Sequence, residues 1–189
     1  MFKDLMFRSR SYRRFYQEEP VTEETLRELV ELARLAPSAA NMQPLKYVLS
    51  WEPERNAQIF PHLSWAGYLK DWPGPGEGER PSAYIVILGD RNISPVVKWD
   101  HGIVAQSMLL GASEKGLGGC MIGSIEKKEL QKDLEIPAHY EILLVLALGK
   151  PKEKVVLETV DESGDIKYWR DEEGVHHVPK RPLEEVIVG

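Results

Sequence analysis

The chain has 189 residues, a formal net charge of −6 at neutral pH and 42% hydrophobic residues, which suits one folded domain with a sizeable core and is short for two. The acidic balance argues against non-specific nucleic-acid binding, which depends on neutralising many phosphates. A lone cysteine, Cys120, excludes an internal disulfide framework and fits a reducing, cytoplasmic setting, and no apolar run approaches the roughly 20 residues of a membrane-spanning helix.

The opening MFKDLMFRSRSYRRFY is rich in Arg and Ser, as transit peptides are. Asp4 lies within it, however, and Glu18 and Glu19 follow, so an uncleaved, structural N-terminus is expected. Thr22 has the features of an N-cap, with Glu23 and Glu24 in the first turn where the helix dipole favours acids. Leu26, Leu29, Val30, Ala33 and Ala36 then recur at helical spacing, Glu23 and Arg27 form an i,i+4 pair, and Pro37 stops the helix. Residues 36–44, APSAANMQP, follow as nine uncharged residues in a chain that is 29% charged. Small side chains between two prolines predict backbone laid against something other than water.

YVLS (47–50) predicts a short strand, WPGPGEGERP (72–81) a flexible loop, and AYIVILGD (83–90) a strand buried on both faces. DHGIVAQSMLLGASEK (100–115) predicts a central helix with Ile103, Val104, Met108, Leu110 and Ala112 on a broad apolar stripe. GLGGCMIGS (116–124) predicts a glycine-rich turn and a short extended piece. Ser124 is expected to cap a polar helix that runs to about Leu134 and stops before Pro137, and YEILLVLALG (140–149) predicts a second buried strand. DESGD (161–165) and DEEG (171–174) are turn-like, so IKYWR and VHHV are expected to pair as a hairpin. With no internal repeat and no dividing linker, this is one domain over residues 1–189, an α/β or α+β sandwich.

Arg8, Arg10, Arg13 and Arg14 cluster with two serines in an otherwise acidic chain. Guanidinium forks and hydroxyls suit phosphate oxygens, although an isolated basic run is also what a solvated face looks like. Lys180 and Arg181 form a second, smaller basic pair. The glycines at 116, 118, 119 and 123 permit close backbone approach to a ligand or a neighbouring chain, but their spacing is not that of a dinucleotide fingerprint. Cys120 lacks a basic neighbour in sequence and reads as a buried, inert thiol. His176 and His177 are adjacent, so on a strand they point to opposite faces and cannot share a metal. Conventional acid–base or nucleophilic spacing is missing, and if this is an enzyme a cofactor carries its chemistry.

RSYRRF, APSAANMQP, DHGIVAQSMLLGASEKGLGGCMIG, LLVLALGKP (143–151) and PKRPLEEVI (179–187) together resemble, in order and spacing, the FMN-dependent nitroreductase family, from about residue 5 to 187. The resemblance implies an α+β sandwich with a central, mostly antiparallel sheet flanked by helices. It also implies an intertwined homodimer, with a C-terminal arm over about 175–189 that reaches the partner subunit. It implies FMN, with NADH or NADPH as electron donor and a nitroaromatic, quinone or similar acceptor reduced in ping-pong fashion. Arg10, Ser11 and Arg13 match the motif that holds the phosphate and the pyrimidine edge of the ring, with Arg13 the electrostatic stabiliser. Lys180 and Arg181 match the basic residues that close on the phosphate. Pro37, Ser38, Ala39, Asn41 and Gln43 match a flavin wall presented to the partner, and Ile122 and Gly123 match the backbone passing the reactive centre. Many members carry an arginine where this chain has Ser9, which leaves open whether Arg8 or Arg10 grips the phosphate. The 51–82 region, which commonly shapes substrate access, matches no pattern. Rival readings are a same-fold enzyme acting on a dedicated metabolite (a dehalogenase or flavin-consuming type), a flavin-binding module or sensor without turnover, and a basic-armed interaction protein with no cofactor.

Overall fold

The computed structural model describes all 189 residues. In chain order the elements are α1 (Phe2–Arg8), β1 (Phe15–Tyr16), α2 (Glu23–Leu35), β2 (Leu45–Ser50), α3 (Pro53–Ile59) and β3 (Ala83–Asp90). They continue with α4 (Asp100–Glu114), β4 (Gly118–Ile122), α5 (Lys127–Asp133), β5 (Tyr140–Pro151), β6 (Val155–Thr159), β7 (Trp169–Arg170), β8 (His176–Lys180) and α6 (Leu183–Val186).

β5 organises the main sheet. One edge of it pairs with β3, which pairs in turn with β2; the other edge pairs with β4 and, further along, with β1. Every one of these pairings is antiparallel, as the α+β sandwich with a mostly antiparallel sheet requires. All eight residues of β3 are buried, and strand alternation splits them between two layers. Ile85 and Ile87 join Leu146 and Leu148 of β5 under α2 and α4. Tyr84, Val86 and Leu88 face the other way, onto Ile59 of α3 and Leu130 of α5. A second sheet orders β6–β8–β7, with β6 and β8 parallel.

Local chemistry accounts for most element boundaries. Thr22 caps α2 through its Oγ1, which accepts the Thr25 N–H at 3.2 Å, and the helix ends at Leu35 with Ala36 as its C-cap before Pro37. Pro53 opens α3 at the first helical turn, where its missing N–H costs nothing. Three expectations need correction. Ser124 does not cap α5: its carbonyl accepts the Ser64 N–H at 3.0 Å and Ile125 bridges to Leu63, which holds 124–125 extended and delays the helix to Lys127. Ile103 is 40% exposed and Leu110 only partly buried, so the inward face of α4 is Val104, Ala105, Met108, Leu109 and Ala112. The hairpin shrinks to Trp169–Arg170 against His176–His177, because β8 makes its longer pairing with β6, a parallel partner that no turn signal announces. Residues 70–81 hold no helix or strand, but the end of this loop is tied down where Glu79 pairs with Arg14 at 2.6 Å and Lys152 at 3.2 Å.

Gly119 sits where β4 is squeezed between β5 and α4. A Cβ there would lie 2.7 Å from the Ala147 carbonyl oxygen and 2.7 Å from Leu109 Cδ2. Backbone cannot swing aside as a side-chain tip can, so Gly119→Ala is expected to destabilise the fold by about 1–3 kcal/mol, read as a lowered denaturant midpoint.

Candidate functional site

The arginine-rich segment is placed by backbone. After α1 ends at Arg8, with Ser9 as its C-cap, Ser11 bridges in parallel to Gly119, and the Tyr12 N–H donates to the Gly119 carbonyl at 3.0 Å, so residues 10–13 run along the free edge of β4. The Tyr12 hydroxyl donates back to the Arg8 carbonyl at 3.0 Å. Further on, the successive N–H groups of Arg13 and Arg14 both donate to Glu153 Oε1, the second at 3.2 Å. Glu153 has no side-chain exposure, and its other oxygen pairs with Arg170 at 2.9 Å. One buried carboxylate therefore fixes the turn that aims Arg13 and couples it to β7.

This path opens a cleft of about 360 Å³ bordered by Arg10, Ser11 and Arg13 on one side and by Tyr168, His176 and Lys180 on the other. Arg10 donates through Nη2 to the Met6 carbonyl at 2.6 Å, while its Nε is buried without a partner. The Arg13 guanidinium lies over the Tyr168 ring, 4.7 Å from its centroid, and its Nη1 is 3.2 Å from the Ser11 carbonyl and 3.1 Å from His176 Nε2. Burial foremost, and then the charges of Arg13 and Arg170, push His176 down to about 4, so this imidazole is neutral at pH 7. Arg13, Met121 and Tyr168 also border an adjoining cavity of about 230 Å³, whose lining includes Ile122, Gly123 and Trp65. Cys120 borders this second cavity as well; burial raises its thiol pKa, which makes it a poor nucleophile.

Arg10, Ser11, Arg13 and Lys180 thus share one cleft, with Ile122 and Gly123 next door. Arg8, on the last turn of α1, and Arg181, 3.2 Å from Glu185, lie outside the cleft lining, whereas Ser9 is part of it. The uncharged segment goes elsewhere. Pro37, Ser38 and Gln43 border a separate cavity of about 490 Å³, and Ala39 and Asn41 belong to the turn between them. That turn wraps a buried charge: Asp100, only 3% exposed, accepts hydrogen bonds from the Ser38 hydroxyl and from the Ala39 N–H at 3.1 Å. Ala40, Asn41 and Gln43 all take the left-handed backbone region, with φ of 50°, 54° and 50°. Asparagine enters that region readily, whereas alanine and glutamine do so rarely and need surroundings that hold them there.

Sequence reasoning missed Glu153, Tyr168 and Asp100. Each stands alone in its local sequence, and only the fold brings it to its partner. His176 and His177 point apart as strand alternation demands. His177 stands between Glu158, bonded to Nδ1, and Asp171, 3.0 Å from Nε2, with its ring stacked on Trp169 at 4.0 Å. Both carboxylates raise its pKa above the usual histidine value.

Comparison with known proteins gives a family match, curated relatives and solved neighbours. A family model described as "Nitroreductase family" matches residues 7–73 and 76–150. Among curated proteins, an NADH dehydrogenase of Thermus thermophilus is 26% identical over 180 residues, covering 80% of this chain and 87% of that protein. An iodotyrosine deiodinase of Thermotoga neapolitana is 25% identical over 169 residues, covering 80% and 89%. Among solved structures, an FMN-dependent nitroreductase from Clostridium difficile R20291 superposes with a TM-score of 0.61 at 24% identity, covering 79% of this chain and 87% of that one.

Two outcomes are expected from this geometry. Replacing Glu153 with Leu strands the nearly buried Arg170 and two backbone donors, and should cost about 3 kcal/mol or more of unfolding free energy in denaturant titration. His177 has a raised folded-state pKa, so its contribution to stability is complete below the unfolded value near 6.5 and is lost as pH rises through the folded one. The stability difference between wild type and His177→Gln should therefore be larger at pH 6 than at pH 9.

Proposed function

The chain belongs to the nitroreductase family, and on that premise we propose that it is an FMN-dependent NAD(P)H oxidoreductase that reduces nitroaromatic, quinone or similar small acceptors. The observation that carries this reading is the cleft itself. Arg10, Ser11, Arg13 and Lys180 converge there, and two buried polar atoms, Arg10 Nε and His176 Nδ1, have no partner in the chain. Such a lining fits a ligand rich in acceptor oxygens, anionic at one end. Bound FMN would supply the redox chemistry, taking hydride from NADH or NADPH and passing it to the second substrate in a ping-pong cycle.

The chain's own residues have distinct tasks in this reading. Arg10, Ser11 and Lys180 hold the phosphate through charge-assisted and hydroxyl hydrogen bonds. Arg13, anchored by Ser11 and His176, keeps a fixed positive charge beside the ring, where it favours the negative charge that reduction adds. Ile122 and Gly123 border the space in which donor and acceptor alternate, and Trp65 lines it as well. Names of relatives support the donor and cofactor: one is an NADH dehydrogenase and one solved neighbour an FMN-dependent nitroreductase. The deiodinase relative favours a second reading, in which the same cleft serves a dedicated halogenated aromatic substrate.

We further propose that the working unit is a homodimer in which the partner supplies residues 37–43 to this cleft. Within one chain that segment opens into a different cavity, and Phe2, Phe7, Ile103, Val186 and Ile187 leave apolar surface exposed on α1, α4 and the C-terminal arm. A dimer would cover them.

The expected result is one FMN per chain after reconstitution, bleached anaerobically by NADH or NADPH, with a dimeric mass in light scattering at micromolar concentration. Selective binding of FAD, or no flavin at all, would overturn the cofactor assignment; yellow protein that neither nucleotide bleaches would make it a binding module instead. Arg10→Ala should weaken FMN binding about tenfold to a hundredfold, about 1.5–3 kcal/mol, in fluorescence titrations. An unchanged affinity would return Arg10 to the solvated face.

A further inference from the structure

Resting on the FMN reading, we infer that His176 is a neutral hydrogen-bond donor to a carbonyl on the pyrimidine edge of the flavin, with its tautomer set by Arg13, and that strand β8 spaces this donor from the phosphate-binding Lys180. A guanidinium can only donate, so the 3.1 Å contact between Arg13 Nη1 and His176 Nε2 requires a lone pair on Nε2. The neutral ring then carries its proton on Nδ1. Burial and the flanking arginines keep the ring neutral through the physiological range. That Nδ1–H is buried and finds no acceptor in the chain, on a side chain that borders the cleft. Buried donors left without an acceptor are rare in folded proteins; the His176 ring is fully covered in the chain alone, and a ligand oxygen reaching Nδ1 from the cleft would supply the missing acceptor.

Strand geometry decides which oxygen. His176, Val178 and Lys180 are alternate residues of β8, and all three border the cleft, so one face of one strand lines it lengthwise. Four residues of strand span about 13 Å, with a neutral donor at one end and a cation at the other. The His176 end is the one where the second cavity opens. Arg13 and Tyr168 border both cavities, and both contact His176, the Tyr168 ring at 5.2 Å. The reacting end of the cofactor belongs at that junction, and the phosphate at the Lys180 end. A neutral N–H beside a ring carbonyl leaves Arg13 as the positive charge nearest the ring, whereas a protonated histidine would compete with Lys180 for the phosphate.

The test reads the ring nitrogens directly. The protein contains five histidines, so uniform ¹⁵N-histidine labelling with long-range ¹H–¹⁵N spectra, assigned by the signal lost in His176→Gln, isolates this one. At pH 7 the cofactor-free protein should show the Nδ1–H neutral tautomer. The Nδ1 resonance should move on adding FMN or riboflavin and stay still with inorganic phosphate. In binding titrations His176→Leu should lose about tenfold for FMN and riboflavin alike. His176→Gln, whose amide can accept from Arg13 and still donate, should stay within about threefold, and Lys180→Ala should lose affinity for FMN alone. An Nε2–H or charged ring, an Nδ1 signal unmoved by FMN that does bind, or a His176→Leu loss confined to FMN would each overturn this inference while leaving the cofactor reading in place. Failure of the wild-type protein to bind FMN would remove both. If His176→Leu does not fold, the spectra and the glutamine variant decide.

Discussion

Glu153 accepts the successive N–H groups of Arg13 and Arg14 and pairs with Arg170, so a carboxylate with no contact to water joins the N-terminal segment, the turn after β5 and the small sheet that carries His176 and follows directly on Tyr168. Three cations around one cleft repel each other, and a chain that gathers Arg10, Arg13 and Lys180 must hold them against that repulsion. The buried anion does so from behind. It holds the backbone rather than the guanidinium of Arg13, which leaves that side chain to lie over Tyr168 and donate to His176. Neutralising the guanidinium directly would have fixed the same turn at the expense of the positive charge in the cleft.

A second buried carboxylate shapes the uncharged segment. Asp100, at the start of α4, draws in the Ser38 hydroxyl and the Ala39 N–H, and the turn that follows puts three residues into left-handed backbone. The lack of charge in 36–44 is therefore only half of the design. Charged side chains there would compete for Asp100 or crowd the turn, and the acid itself is contributed from 61 and 62 residues away by the helix whose inner face builds the core.

Much of the architecture was legible in sequence because it rests on local rules. The capped helix over 23–35, the doubly buried strand over 83–90 and the long strand from 140 follow from capping chemistry, helical periodicity and continuous apolar runs. The errors fall where tertiary contacts overrode those rules. Ser124 is a good cap by composition, but its carbonyl is claimed by Ser64. The parallel pairing of β6 with β8 has no turn signal, since its strands are joined through a long excursion that includes β7.

For the candidate site, the sequence alone determined the ingredients: an arginine–serine cluster near one end, a basic pair near the other, an uncharged turn, a glycine-dense strand and the family resemblance they make together. It also determined that His176 and His177 face opposite ways, because alternation is a property of any strand. Only the tertiary structure decided which basic residues meet, since Arg10 and Lys180 are brought to one cleft by the β4 edge and by β8, while Arg8 and Arg181 fall outside its lining. It alone supplied Glu153, Tyr168 and the contact of Arg13 with His176, each of which depends on a partner distant in the chain. Hydrogen bonds and ion pairs act over a few ångströms, and spacing along a chain does not encode distances between elements that meet only when the sheet has closed.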